Sequence, residues 1–387
     1  MSSRMALFGL GFFFGGAGTL SAIEMFGGKL GTPLGKHTPA QSTGTSLTPA
    51  MQRSPTPTVN PPKATVQSEM MKYGLPSYDN VRVFTEFVSS INYERRIPNW
   101  VLEYFPPFAQ QQAAGKSEVN RSKSHFYSDA VVPEVFRAQT SDYHVEHLSR
   151  GHLAAAQNHK TTQATRDETF NLSTNIVPQD MSMNGCDWYR LEDMVKKMRK
   201  VHKDAAVWVV SGPAFVPTTF IGPDGKNKSE VRYAVIGQRQ VAVPTHMFEK
   251  AADGPQPAKR LGAAFLMKNG PIPEERPLTA YQVSLSEVER LTGLQFFPAL
   301  LHSSGSSTTA GKALTVTTPI IDLCRETNGG CQGSEGSFSQ QYRQEAKLRT
   351  AMTKEQLAAV WAGCDQKDKS LQKEYMNQLQ ALSSVQS

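Results

Sequence analysis

The sequence predicts an α+β fold, and three observations carry that prediction. Short apolar runs of strand length recur between residues 99 and 267. Residues 184–200 repeat apolar positions at helical spacing, with Trp188, Leu191, Val195 and Met198 on one stripe. Ser284-Leu285-Ser286-Glu287 has the spacing of a capping box and opens a helix that ends near Gly293. Strands and helices interleaved in this way fit an α+β or αβ-sandwich domain on a mixed or antiparallel sheet.

Taken in order, the first element is residues 5–26, MALFGLGFFFGGAGTLSAIEMF, apolar apart from Glu24. At roughly 1.5 Å per residue this is just long enough to cross a bilayer as a helix. Arg4 precedes it, and Lys29 and Lys36 follow. It lacks a small-x-small cleavage pattern, so residues 1–28 read as an uncleaved targeting segment and membrane anchor. Gly11-x-x-x-Gly15 has the spacing of close helix pairs, although in so glycine-rich a span it is more often composition. Residues 29–72 are rich in Gly, Pro, Ser and Thr. Such a stretch cannot bury enough apolar surface to offset the entropy of ordering, and it reads as a disordered linker.

Ordered sequence begins near Tyr73, and the domain is expected over 73–302. Residues 99–104 form a first strand, followed by residues 206–210, 231–236, 241–243 and 261–267. Pro223-Asp224-Gly225-Lys226 supplies a turn between 206–210 and 231–236. Residues 302–312 are a Ser/Thr/Gly-rich break. Beyond it, residues 339–349 and 353–382 have helical composition and make 303–387 a separate helical C-terminal extension.

Composition narrows the functional classes. Hydrophobic residues are 39% of 387, enough for a real core, and the net charge of +7 fits a polyanionic partner or an anionic membrane surface. Cys186, Cys324, Cys331 and Cys364 are too few for a disulfide framework, and without a CxxC pair they do not suggest structural zinc.

The chemistry concentrates in Ser149-Arg150-Gly151-His152 and the helix after it. A neutral imidazole at His152 suits removal of a proton from water near neutral pH. Arg150, two residues away on a strand, points to the same face and can grip phosphate oxygens. Arg121 could add a second guanidinium. Asn184, Trp188, Glu192 and Lys196 share one i+4 ridge, which sets an amide and a carboxylate two turns apart. That pair suits Mg²⁺, which keeps several of its waters. Singly, each residue has a plainer reading: a structural histidine, a solvated loop arginine, a helix cap, a solvated face. His144, His147, His152 and His159 cluster too, but their spacings match no zinc motif.

Together these residues resemble a known family. Ser149-Arg150-Gly151-His152-Leu153-Ala154, Asn158, Glu168-Thr169-Phe170-Asn171-Leu172-Ser173, Asn175-Ile176-Val177-Pro178-Gln179, Asn184 and Trp188-x-x-Leu191-Glu192 occur in the order seen in the DNA/RNA non-specific endonucleases. That family has a ββα-metal active site and includes endonuclease G. Trp208 to Pro213, Val243-Pro244 and Gln282 to Leu285 also match. Most members read Asp-Arg-Gly-His; Ser149 at the Asp position and Val177-Pro178-Gln179-Asp180 resemble the EXOG-type mitochondrial branch.

The resemblance implies His152 as general base, Asn184 as the one direct protein ligand to Mg²⁺ (with Mn²⁺ as a substitute) and Glu192 as the acid that orders water around the ion. It implies Asn175 as an active-site amide and Arg150 and Arg121 as phosphate-binding arginines. Lys196 stands where many members carry arginine, keeping charge but losing the planar fork. The partners implied are DNA or RNA, a mitochondrial inner membrane through the anchor, and a second copy in a homodimer. The activity implied is an EXOG-like 5′–3′ exonuclease and endonuclease. Two other readings stay open: an endonuclease G-type enzyme making internal cuts, and a membrane-tethered nucleic-acid-binding protein whose site has decayed.

Overall fold

The computed structural model describes residues 61–107, 118–253, 260–301, 320–326 and 331–384, all within the second of two compact units, Thr58–Ser387. The expected anchor, and the linker as far as residue 60, lie outside the described residues. Among the described residues no helix is long and apolar enough to cross a membrane.

The centre is an eight-stranded sheet. Along it run β1 (Val81–Val83), β2 (Phe87–Asn92), β3 (Ile97–Phe105), β6 (Val207–Ala214), β11 (His246–Asp253), β12 (Arg260–Lys268) and β13 (Gln282–Val283); β14 (Ile320–Asp322) pairs with β12. Neighbours on this path are antiparallel, and the β12–β14 pair is parallel. The sheet is thus mixed, and the expected α+β class holds. Both faces are covered. Val101, Phe105, Val207 and Val209 point to one core, while Trp100, Leu102, Trp208 and Val210 point to the other. Burial on both sides explains why 206–210 reads as a continuous apolar run rather than an alternation.

The first face carries the site. β4 (Leu148–His152) and β5 (Ile176–Asp180) pair antiparallel with Ser149 opposite Gln179 and His152 opposite Ile176. A π-helical turn, Met183–Trp188, follows and runs into the Tyr189–Val201 helix. Trp188, Leu191, Val195 and Met198 are buried in the same core as β5's Ile176 and Val177. Each such side chain contributes about 1.5–3 kcal/mol by leaving water, so the stripe fixes the helix's rotation and with it the direction of the Asn184–Glu192 ridge.

Several expectations need correction. The end of the expected linker is ordered: Pro61–Met70 is a helix, Met70 is buried and Trp208 Nε1 donates to Glu69 O at 3.1 Å. The single helix expected over 184–200 opens with the π-turn. Of 231–236 only Val235–Ile236 is a strand, β9, paired with β10 (Val241–Ala242). The Pro223–Lys226 turn closes a different hairpin, β7 (Thr218–Ile221) with β8 (Asn227–Glu230). Those strands are largely exposed and polar, so no apolar pattern marks them. Gly225 in that turn has φ +71°, which glycine adopts without strain. Cys324 and Cys331 form a disulfide, while Cys186 and Cys364 are free.

The Leu285–Thr292 helix matches expectation, with Ser284 Oγ accepting from Glu287 N and Gly293 left-handed after it. The C-terminal residues form helices Ser339–Thr350, Lys354–Ala362 and Lys369–Ser384 around Leu348, Leu357 and Leu371. They are docked on the domain rather than separate from it, since Arg343 and Arg349 pair with Asp187 and Asp180.

Candidate active site

β4 is a short strand whose only buried residue is Gly151. Glycine is required there: a Cβ would lie 2.1 Å from Gln179 Cδ across the hairpin. The close approach seats β4 against β5, and His152 ends the strand. Its half-buried ring lies edge-on to Phe170, centroids 4.8 Å apart, and 5.6 Å from Phe126. Nε2 is enclosed and has no hydrogen-bond partner in the protein. Burial, then the Arg121 charge, pull its pKa down to about 3. The imidazole is therefore neutral at any physiological pH, as a proton acceptor must be.

The same two phenylalanines carry the arginines. The Arg150 guanidinium lies 4.5 Å over Phe126, and that of Arg121 lies 4.1 Å over Phe170. Arg150 and His152 thus share one strand face and one aromatic ring, as their spacing implied. Arg121 sits on the Arg121–Lys123 turn, one residue after its cap Asn120. Burial and repulsion from Arg166 and Arg150 lower its pKa. Cations crowded together in this way await an anion.

Asn184 is one residue into the π-turn. Its Nδ2 donates to Ser149 Oγ at 2.9 Å, and that hydroxyl donates to Gln179 O at 3.1 Å. The bond turns the amide oxygen away from Ser149, and no donor in the described residues reaches it. Two turns on, Glu192 Oε2 accepts from Gln157 Nε2 at 3.1 Å. Burial, then the Glu103 carboxylate, push Glu192 up to about 8. An uncommitted amide oxygen and a carboxylate short of positive charge fit a hard divalent cation. Among the described residues no three of His, Cys, Asp and Glu gather as a metal cage. A site with one direct side-chain ligand does not need such a cage.

Asn175, expected as an active-site amide, lies next to His152 through backbone contacts. It is fully buried; its Oδ1 accepts from Ala154 N at 2.7 Å, and its Nδ2 donates to Ala154 O at 3.0 Å and Thr169 O at 2.8 Å. It clamps the chain just after His152 and before Phe170. Lys196, half-buried, lies near Lys160, whose pKa it and Arg166 depress after burial.

Two supports lie behind the site. His159 is buried between Glu86 (2.9 Å) and Glu103 (2.8 Å), and these carboxylates, set against burial, raise it to about 9. It anchors the loop that presents Gln157, and so serves two acids rather than a metal. The C-terminal helix Ser339–Thr350 grips the Asn184 turn. Arg343 pairs with fully buried Asp187 at 2.7 Å and also with Glu335. Arg349 pairs with Asp180 at 3.0 Å, and Asp180 accepts from Ser182 and Met183 N at the turn's start. Tyr342 packs where a Cβ on Gly185 would fall.

A strand pair carrying His152 followed by a helix carrying Asn184 and Glu192 is the arrangement that the motif order implied. The sequence profile of the DNA/RNA non-specific endonucleases matches residues 66–303. The chain belongs to that family. It is accordingly a hydrolase, a nuclease by class. Among similar family members is the mitochondrial endonuclease G of Caenorhabditis elegans, 35% identical over 234 residues, covering 60% of this chain and 73% of that protein. Another is the mitochondrial nuclease EXOG of Danio rerio, 39% identical over 232 residues, covering 59% of this chain and 64% of that protein. Among solved structures, one titled as a complex of EndoG with EndoGI, describing inhibition of EndoG, aligns with TM-score 0.54 and 36% identity over 60% of this chain and 91% of that one.

Within this family member, the structure brings together His152, Arg150 and Arg121, and joins Asn184 and Glu192 to the same hairpin and its following loop through Ser149 and Gln157. Sequence reasoning missed Phe126 as a wall, Gln157 as the partner of Glu192, and Arg343 and Arg349 as braces. Gln157 stands five residues after His152, but nothing in its spacing marks it. The braces lie more than 150 residues from the turn they hold.

Proposed function

We propose that this nuclease hydrolyses phosphodiester bonds of DNA, and of RNA, with little sequence preference, leaving 5′-phosphate products. The observation that carries the reading is His152: neutral, with an uncommitted Nε2, and flanked by two arginines stacked on the rings that enclose it. His152 takes the proton from the attacking water. Arg150 and Arg121 hold the scissile phosphate and meet the charge that develops on it. Lys196 adds a phosphate contact on the helix. Asn175 acts as a positioning residue by clamping Ala154.

The residues that would hold Mg²⁺, or Mn²⁺ in its place, are Asn184 directly and Glu192 through ordered water. When bound, such an ion supplies positive charge to the reacting phosphoryl oxygens and to the leaving 3′ oxygen. Ser149 keeps Asn184 turned for that role, and Gln157 keeps Glu192 in place.

The mitochondrial names of the relatives support a mitochondrial location. Tethering to the inner membrane rests on the apolar stretch 5–26, and a homodimer rests on family resemblance. Ser149 at the usual Asp position and the C-terminal helices support the EXOG-type reading, 5′–3′ trimming together with internal cutting in mitochondrial DNA maintenance. Endonuclease G-type internal cutting is the competing reading. Digestion of end-labelled linear DNA and of closed circles by the full-length chain in Mg²⁺ separates the two. Terminal shortening supports trimming, and cutting of circles supports internal cleavage. Cleavage undiminished in EDTA overturns the mechanism.

A further inference from the structure

Most cations around the Asn184 turn and its helix are neutralised. Arg190 pairs with Asp187 and Glu275, Lys197 with Asp193, Arg343 with Asp187, and Arg349 with Asp180. Arg121, Arg150, Lys160, Arg166 and Lys196 form no ion pair among the described residues. The first two and Lys196 have roles above; Lys160 and Arg166 have none.

Arg166 is the stranger of the two. It is only 7% exposed, and its Nε is enclosed without a partner. A buried guanidinium with no counter-charge costs free energy, and structural arginines are normally paired. The surrounding fold nevertheless holds it in place. The Gln163–Glu168 helix is capped by Thr162, and its first residue is tied to the Arg121 turn: Gln163 Oε1 accepts from Asn120 N at 3.0 Å, and Nε2 donates to Ser124 Oγ at 3.1 Å. Phe170, two residues past that helix, is the ring on which Arg121 stacks. Arg166 is therefore fixed on the same rigid unit as a phosphate-binding arginine. Lys160, exposed, lies in electrostatic range of both Arg166 and Lys196. Arg121 feels the charges of Arg166 and Arg150, and Lys160 those of Arg166 and Lys196, so Arg166 is within reach of cations on both sides of the site.

We propose that Arg166, with Lys160, is a nucleic-acid backbone contact that binds the phosphate beside the scissile one. It gives that flank of the cleft the guanidinium that Lys196 lacks. The inference rests on the nuclease reading of the site. It also explains why a buried arginine goes unpaired, since the polyanion is its partner.

The test is binding in EDTA, where cleavage is silent. Full-length protein in detergent is titrated into a fluorescein-labelled 12-base-pair duplex over a range of NaCl concentrations. Arg166→Gln should weaken binding about tenfold or more and reduce the slope of log affinity against log salt by about one, because one charge-assisted contact is lost. Arg166→Lys should keep the slope and lose less affinity. Thermal melting reports whether the variants fold. Should Arg166→Gln not fold, the exposed Lys160→Ala carries the same test, with a slope loss of about one expected. Wild-type affinity and slope in a folded Arg166→Gln, or an unchanged slope in Lys160→Ala where that variant stands in, overturns the inference. Wild-type protein that neither binds the duplex nor cuts DNA in Mg²⁺ would instead overturn the nuclease reading itself.

Discussion

Ser149 and Asn184, 35 residues apart, meet at 2.9 Å, with the amide nitrogen of Asn184 donating to the serine hydroxyl. Because that hydroxyl donates in turn to Gln179 O, its role as acceptor toward Asn184 is fixed. The amide nitrogen of Asn184 is thereby committed, and its oxygen accepts from no donor among the described residues. Serine at this position therefore gives the asparagine an acceptor without placing a negative charge near His152.

Ser149→Ala should free the Asn184 amide to rotate. The Mg²⁺ concentration for half-maximal cleavage should rise several-fold, with a smaller loss of maximal rate, because the bond contributes about 1 kcal/mol. Ser149→Asp, which supplies another acceptor, should stay near wild type in metal requirement. A metal titration of plasmid cleavage reads both. Equal metal requirements in wild type and Ser149→Ala would remove the orienting role.

His152 should remain neutral far below the usual histidine range, since burial and Arg121 hold its pKa near 3. In an NMR titration its ring proton shifts should stay on the neutral limb down to about pH 4, well below the ordinary histidine value of about 6.5. His152→Ala should lower turnover by about 10²–10⁴-fold with duplex binding in EDTA retained. A midpoint near 6.5 for His152 would show that the ring is more open than its Nε2 burial implies.

What the sequence revealed and what it hid divide along chain separation. His152, Arg150, Asn184 and Glu192 were legible as a set because their order and spacing resemble the family's motifs; strand periodicity placed Arg150 and His152 on one face, while the π-turn at Asn184 had no mark in the spacing. The central strands were legible because burial on both faces makes them continuously apolar. The β7–β8 hairpin was not, since its Thr, Asn, Lys and Ser face solvent and follow no pattern. Asn175 was legible as a candidate for the site, but its clamp on Ala154 was not, because spacing does not show which backbone groups an amide reaches. Phe126 and Arg343 act across contacts that only the folded chain creates.

His159 makes stability depend on pH. Its pKa is raised by Glu103 and Glu86, so the folded state holds its proton more tightly than the unfolded chain does. The resulting stabilisation is complete below the ordinary pKa near 6.5, declines as pH rises, and is gone above about 9. Each tenfold gain in proton affinity is worth about 1.4 kcal/mol, which brings the whole effect to about 3 kcal/mol. Glu192, Glu374 and Lys250 titrate within or near the same window, so the readout is the difference between wild type and His159→Gln. That difference in melting temperature should be largest at pH 6 and should shrink towards pH 9.5. A constant difference across the range would mean that His159 is not charged in the fold.

Gly151→Ala should damage the site through packing alone. The added methyl would meet the fully buried Gln179 side chain, with Cδ at 2.1 Å, at a cost of about 1–3 kcal/mol. The expected outcome is a shift of the strand that takes His152 with it. Cleavage should fall by more than the loss of folded protein explains when both are measured at a temperature where the variant is still folded. Full specific activity in the folded fraction would show that β5 rather than β4 moves.

Arg343 links the Ser339–Thr350 helix to the Asn184 turn, and its loss should be felt in both stability and chemistry. Asp187 is fully buried and is held by Arg343 at 2.7 Å, Arg190 at 2.8 Å and the Tyr281 hydroxyl at 2.5 Å. Removing one of three partners from a buried carboxylate is less severe than isolating it, so Arg343→Met should cost about 3 kcal/mol, the low end for breaking a buried pair. The turn that Asp187 sits in also carries Asn184, so loosening it should raise the Mg²⁺ requirement several-fold well below the melting temperature. Arg343→Lys keeps the charge but cannot reach Asp187, Glu335 and Ile272 O together as the guanidinium does, so it should fall between wild type and Arg343→Met in both measurements. If Arg343→Met melts earlier yet cleaves with an unchanged Mg²⁺ dependence, the helix supports the fold alone and Asn184 is held by Ser149 without help from the tail.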